Sequence, residues 1–141
     1  MGFKIFNSDL SFKTSGDTDI IDITNQISRK VAESGLTEGQ VLIFIPGSTA
    51  AITTIEYESG VVQDLKDALE RLAPEGIFYR HNARWGDGNG YAHVRAALLG
   101  PSMTVPLVGG RLVLGTWQQI VLIDFDNEPR DRKMLVSISG I

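Results

Sequence analysis

The 141-residue sequence contains no cysteine, which excludes disulfides, zinc–thiolate sites, iron–sulfur clusters and cysteine nucleophiles together. It also lacks a basic excess, because 13 lysines and arginines are outnumbered by 17 aspartates and glutamates. Proteins that bind nucleic acid non-specifically usually carry a basic face. No apolar run approaches the roughly 18 residues of a membrane-spanning helix, and no signal-peptide pattern follows Met1. These absences predict a cytoplasmic protein without nucleic-acid or membrane partners.

The composition that remains is that of a globular protein, with 43% hydrophobic and 21% charged residues. A chain of this length buries about 68–70% of its unfolded surface on folding, so its stability requires neither a disulfide bond nor a structural metal ion. We therefore expect a single domain over residues 1–141.

Hydrophobic periodicity predicts an α+β fold with a mostly antiparallel sheet. Helical spacing over residues 24–34 and 61–72 predicts two main helices, the first with Thr24 as N-cap, and Tyr91–Leu99 predicts a short third one. The first two strands are expected to form a hairpin and the last four an antiparallel meander. The predicted strands are 3–14, 19–23, 40–45, 49–57, 102–108, 111–114, 118–125 and 133–139.

One predicted strand carries apolar residues on both faces, in the stretch Gln119–Ile123. A single layer of short helices cannot cover a large sheet, and exposed apolar faces usually mean association. The sequence therefore predicts a homo-oligomer.

The segment Tyr79–Arg95 holds both histidines of the chain, His81 and His93, with several arginines, asparagines and a tryptophan. Long polar connections in a compact domain are either spacers or functional loops. A spacer does not require histidines or a tryptophan, so the composition favours a functional loop. The two histidines fit general acid/base groups. They equally fit two ligands of a divalent metal, for which Glu56 or Asp87 would be the third. The alternative is that each imidazole bridges backbone groups.

A second polar segment, Pro46–Thr49, follows a buried strand. Its glycine and hydroxyls suit a phosphate or carboxylate, although it is no Walker A motif, because the second glycine and the lysine are missing. A tight turn between strands explains it as well. Arg84 and Arg95 are candidates for bidentate anion contacts, and residues 130–133 are expected to form a solvated surface.

Three stretches together resemble the YjbQ-like family, which is described as secondary thiamine-phosphate synthases. They are Gly47–Glu56, Asp87–Ser102 and Leu112–Ile120, with Arg130 and Arg132 closing the pattern. The Gly-Thr-Trp-Gln stretch is the most specific piece, and the resemblance covers nearly the whole chain.

The resemblance implies a subunit whose sheets pack around a threefold axis, in a homotrimer or higher homo-oligomer. It also implies synthesis of thiamine phosphate from a pyrimidine diphosphate and a thiazole phosphate. Many members have a histidine at the position of Gly47, so this chain keeps two of three histidines.

Three functional hypotheses follow: a transferase acting on phosphorylated heterocycles, a non-catalytic binder of a phosphorylated metabolite, and a hydrolase dependent on a divalent metal. The transferase assigns catalysis to His81, His93 and Glu56, and the hydrolase makes the two histidines metal ligands. The predicted substrate-binding residues are Ser48, Thr49, Arg84, Trp85, Asp87, Asn89, Arg95 and Gln118.

Overall fold

A computed structural model describes residues 2–141 and confirms the predicted α+β fold, with every strand pairing antiparallel. Four helices are present: α1 (Thr24–Ser34), α2 (Ser59–Leu72), α3 (Arg80–Trp85) and α4 (Gly90–Leu99). The strands are β1 (Lys4–Thr14), β2 (Asp19–Asp22), β3 (Gly39–Phe44), β4 (Ala50–Ile55), β5 (Ser102–Val108), β6 (Arg111–Leu112), β7 (Gln119–Asp124) and β8 (Arg130–Gly140).

The strands form two sheets, one of five strands in the order β1-β8-β3-β5-β6 and one of three in the order β2-β7-β4. The inner face of the larger sheet packs against the smaller sheet and the apolar side of α1, where Ile27 and Val31 are buried. The other face of the smaller sheet is covered by α2 and α4 through Leu69, Tyr91 and Ala96. The small sheet is therefore the middle layer of the molecule.

This layering explains the unbroken apolar run of β7 differently from the sequence prediction. Residues 120–124 are all buried within one chain, because the large sheet lies on one side of the strand and α2 and α4 lie on the other. The two-sided apolar pattern of Gln119–Ile123 is therefore no evidence for association.

The predicted hairpin of the first two strands is wrong, since β1 pairs with β8 and β2 pairs with β7. The chain crosses between the sheets at residues 16–18, where Asp17 and Thr18 have positive φ angles of 53° and 61°. Of the predicted meander, only β5 and β6 pair as sequence neighbours. Local alternation indicates a strand but does not say which distant strand it will join.

The helix ends also differ in part from the prediction. Thr24 is the first residue of α1 and does not cap it; its hydroxyl bonds to Asp22 Oδ1 at 2.7 Å and accepts the Ile120 N–H. The missed cap is Glu58, whose carboxylate accepts two N–H groups at the start of α2. Helix α3 lies within the segment Tyr79–Arg95, which was interpreted as a long polar connection. None of the helices in residues 2–141 has the length and hydropathy of a membrane span.

Candidate functional site

A polar cavity of about 410 Å³ lies at the end of the small sheet where β4 begins and β7 ends. The pairing of Ala50 with Asp124 brings the loop before β4 beside the loop after β7. Helix α4 closes the third side with its first turn. The cavity is lined by Gly47, Ser48, Thr49, Asn89, His93, Asp126, Arg130, Asp131 and Arg132.

The two histidines form a contacting pair at this cavity. His93 lies on α4 and lines it, and its ring centroid is 4.3 Å from that of His81 on α3, with the ring planes inclined by 39°. His81 Nδ1 is 3.4 Å from Asp87 Oδ1 but forms no hydrogen bond to it, so this buried nitrogen has no protein partner. The structure therefore brings His93 to the Ser48–Thr49 turn, while His81 contacts His93 from outside the cavity lining.

Burial lowers the pKa of His93, and the neighbouring His81 lowers it further, while Asp87 and Asp126 oppose the shift. A histidine whose pKa lies below 6.5 is neutral at pH 7. His93 therefore presents a neutral imidazole, able to accept a proton or a hydrogen bond, to the cavity.

A charged network built on Asp124, which is fully buried, adjoins the cavity through Thr49 and Arg132. Arg132 approaches Asp124 in a bidentate manner, with Nε 2.8 Å from Oδ2 and Nη2 2.9 Å from Oδ1. Nη2 also donates to Thr49 Oγ1 at 2.7 Å. Burial alone would raise the pKa of Asp124, but hydrogen bonds from Arg132, Thr14 and the Asp126 N–H together outweigh it and lower the pKa.

A second buried carboxylate, Asp126, joins the remaining polar groups of the cavity. Its Oδ2 accepts bonds from Thr49 Oγ1 at 3.2 Å and Arg130 Nε at 3.0 Å. Its Oδ1 accepts from Asn89 Nδ2 at 3.2 Å. Because the amide nitrogen of Asn89 faces a carboxylate, its Oδ1 points elsewhere, and that buried oxygen has no protein partner.

The network residues of the Asp124–Arg132 segment were missed in the sequence, where residues 130–133 were expected to be solvated. Arg132 is instead largely buried, with 11% of its side chain exposed. One signal was available: Asp124 and Asp126 follow an apolar strand, and Arg130 and Arg132 open the next one. Alternate charged residues on adjoining strand ends are what a buried ion-pair cluster requires.

Arg95 was predicted to contact an anion, and the structure places it away from the cavity. It is buried between α4 and α2, where it donates to Ala73 O at 3.0 Å, Thr18 Oγ1 at 2.9 Å and Glu70 Oε2 at 2.7 Å. These contacts occupy its guanidinium and tie the crossing between the sheets to both helices.

Two other predicted residues, Glu56 and Gln118, lie at the opposite end of β4 from Thr49. Gln118 Nε2 donates to Thr54 Oγ1, and Glu56 is exposed just beyond the strand. Strand geometry of about 3.3 Å per residue puts them roughly 20 Å from the Ser48–Thr49 turn. One chain does not bring them to the histidine pair.

Arg84 and Trp85 end α3 on the outer surface near His81. The Arg84 guanidinium stacks over the Trp85 ring at 5.1 Å, and the indole is 65% exposed. Neither residue lines the polar cavity, so their predicted substrate contacts would require a ligand that extends beyond it.

The geometry does not favour the predicted metal centre. Within residues 2–141 no three histidine, aspartate or glutamate side chains are grouped closely enough to hold a metal ion. Protein zinc sites use at least three such ligands. His81 and His93 therefore supply an incomplete ligand set in one chain.

Comparison with known proteins identifies the family of this chain. The model of the UPF0047 protein YjbQ-like family matches residues 8–141. The chain belongs to the YjbQ-like family. A UPF0047 protein of Archaeoglobus fulgidus is 41% identical over 128 residues, covering 91% of this chain and 97% of that protein. One of Methanothermobacter thermautotrophicus is 39% identical over 137 residues, covering 97% and 94%.

Solved structures of YjbQ-like proteins share the whole fold. A crystal structure of a YjbQ-like protein of unknown function from Sulfolobus solfataricus has a TM-score of 0.94 at 34% identity, covering 99% of this chain and 100% of that one. An uncharacterised YjbQ/UPF0047 protein from Clostridium acetobutylicum has a TM-score of 0.85 at 39% identity, covering 93% and 98%. These relatives confirm the predicted family and fold, and they name no reaction.

Proposed function

We propose that this YjbQ-like chain binds a phosphorylated small molecule in the polar cavity and catalyses transfer of the thiamine-phosphate synthase type. The observation that carries the proposal is the joint lining of one cavity by His93, the Ser48 and Thr49 hydroxyls, and two arginines. Such a combination of a few convergent polar groups with a residue of shifted pKa is typical of a ligand site.

The anion would be held by donors that the internal network leaves available. Arg132 uses Nε and Nη2 for Asp124 and Thr49, and its Nη1 lies toward the Gly47 backbone at the cavity. The exposed Ser48 hydroxyl adds a second donor. Charge-assisted contacts of this kind are the strong ones in phosphate recognition.

In the transfer step the thiazole nitrogen attacks the methylene carbon that bears the diphosphate. The C–N bond forms as the C–O bond breaks, and the electron pair leaves on the diphosphate. No proton is released in this step, so the neutral His93 would act by accepting a hydrogen bond that orients the substrate in line.

Release of diphosphate from the two substrates tests this reaction directly. We expect turnover by the wild type and a loss of at least tenfold in His93→Gln, which keeps the side-chain size but removes the imidazole. Equal background rates for both proteins would contradict the catalytic half of the proposal. Arg29→Gln on the exposed surface of α1 is the matched control and should turn over at the wild-type rate.

A second candidate is a non-catalytic binder, and one observation favours it. Both cavity arginines are already paired with carboxylates, Arg132 with Asp124 and Arg130 with Asp126 and Glu128. Little positive charge then remains for a leaving diphosphate. Inorganic phosphate titrated into the protein and followed by NMR tests binding alone. Ser48→Ala should weaken phosphate binding about fivefold, and unchanged affinity would contradict binding here.

The predicted homotrimer, or a higher homo-oligomer, remains a proposal and now depends on the outer face of the large sheet. Phe44 on β3 and Leu135 on β8 are directly paired there, each 39% exposed, and Leu42 is equally exposed. Contiguous apolar surface on a sheet face is typical of an interface. Light scattering should give three chain masses or a higher multiple for the wild type and one for Leu135→Lys; a monomeric wild type would contradict association.

A further inference from the structure

A second, apolar cavity lies beside the polar one. This second cavity has a volume of about 220 Å³ and is lined by Gly47, Ser48, Ala50, His93, Ala96, Ala97 and Pro101. Three of these residues, Gly47, Ser48 and His93, also line the polar cavity. The two cavities therefore adjoin at the Gly47–Ser48 turn and at His93.

We infer that the molecule bound here carries its anionic group against Arg132 and Ser48 and a compact apolar body in the cavity beside Ala97. The inference rests on the anion-binding part of the proposed function and adds the chemical class of the ligand. A free phosphate or carboxylate would fill only the polar half.

Glycine at position 47 leaves room beside Arg132 in the lining that the two cavities share. Its φ of +111° is a conformation that side-chain-bearing residues rarely adopt. A Cβ at this position would stand 3.2 Å from Arg132 Nη1, so a side chain would crowd the guanidinium that faces the anion. Without one, the Arg132 Nη1 group and the apolar cavity are both open to the same ligand.

Asn89 adds a buried polar side chain to the lining of the polar cavity. The residue is 6% exposed, lines the polar cavity and leaves its Oδ1 without a protein partner. Buried polar atoms in native proteins are nearly always satisfied.

The size of the apolar cavity sets the expected body of the ligand. A dry cavity of about 150 Å³ accommodates benzene, so this cavity takes a six-carbon ring or a short alkyl chain. Each methylene buried there should tighten binding about fourfold.

Two series of probes test the inference: alkyl phosphates from methyl to hexyl with phenyl phosphate, and the matching carboxylates. Binding is measured by calorimetry or NMR with the wild type, Ala97→Leu and Ala32→Leu. Ala97 is exposed on α4 and lines the apolar cavity, whereas Ala32 is exposed on α1 and lines neither cavity. We expect affinity to rise with chain length in the wild type and Ala32→Leu, and to stay flat in Ala97→Leu with methyl phosphate binding unchanged.

The outcomes separate this inference from the proposed function. If methyl phosphate binds and its binding weakens in Ser48→Ala but longer chains bind no tighter, the inference is overturned and anion binding stands. A rise with chain length that survives Ala97→Leu also overturns it. If neither series binds, both are overturned. A rise confined to one series supports the inference and identifies the anionic group as phosphate or carboxylate.

Discussion

Replacing Asp124 with asparagine should destabilise the protein by about 3 kcal/mol. The carboxylate is fully buried and receives four hydrogen bonds, two of them from Arg132, whose side chain is only 11% exposed. An amide keeps the shape but leaves the guanidinium charge without a counter-charge and turns one acceptor into a donor that faces other donors. Removing one partner of a buried pair costs about 3–5 kcal/mol.

Urea unfolding followed by far-UV circular dichroism is the suitable assay, because both tryptophans are largely exposed and report little on the core. With a slope near 2 kcal/mol per molar urea, the midpoint should fall by about 1.5 M. Asp131→Asn on the neighbouring exposed residue is the matched control and should stay within about 0.5 kcal/mol of the wild type. Adding Arg132→Gln to Asp124→Asn should cost less than the two single changes summed, because the unpaired charge is removed.

The pH dependence follows from the lowered pKa of Asp124. A carboxyl whose folded pKa lies below its unfolded value contributes stability that is present above about pH 4 and lost as the pH falls through the folded pKa. The wild type and Asp124→Asn should therefore converge in stability only once the pH falls below the folded pKa of Asp124. A difference under 1 kcal/mol at pH 7, or strict additivity in the double variant, would refute the account of the network.

Three further predictions concern the histidine pair, the buried Arg95 and the close approach of Gly39 to β8. His81→Gln should raise the pKa of His93, because the neighbouring His81 is one of the two causes that lower it. NMR titration of the imidazole protons measures this pKa, and no change would refute the coupling. Arg95→Ala should lower the free energy of unfolding by roughly 2–3 kcal/mol, because its hydrogen bonds are lost, and should leave phosphate affinity unchanged. Weaker phosphate binding would instead support the substrate contact predicted for Arg95 from the sequence. Gly39→Ala should prevent native folding, because its Cβ would overlap the β8 backbone. Gly109→Ala, where a Cβ meets open space, should lower the free energy of unfolding by only roughly 1 kcal/mol. Equal thermal stability of the two variants would contradict this reasoning.

The sequence by itself determined the fold class and the segment that holds the site. Helical and alternating periodicities are local properties, and they predicted α1, α2, α4 and most strands correctly. The polar segment 79–95 and the Ser48–Thr49 turn were recognisable because their side chains do not fit a spacer or a core. His93 and Asn89 line one cavity with the turn, and His81 contacts the His93 ring.

Only the tertiary structure decided which charged residues complete that site. Thr14 meets Asp124 across 110 residues of sequence, and Arg132 reaches it because β8 lies in one sheet and β7 in the other. Arg95, two residues after His93 on α4, instead points into the packing between α4 and α2. Which strands pair, and which face of a helix is buried, depends on the burial of apolar surface over the whole chain. A local sequence pattern therefore does not predict them.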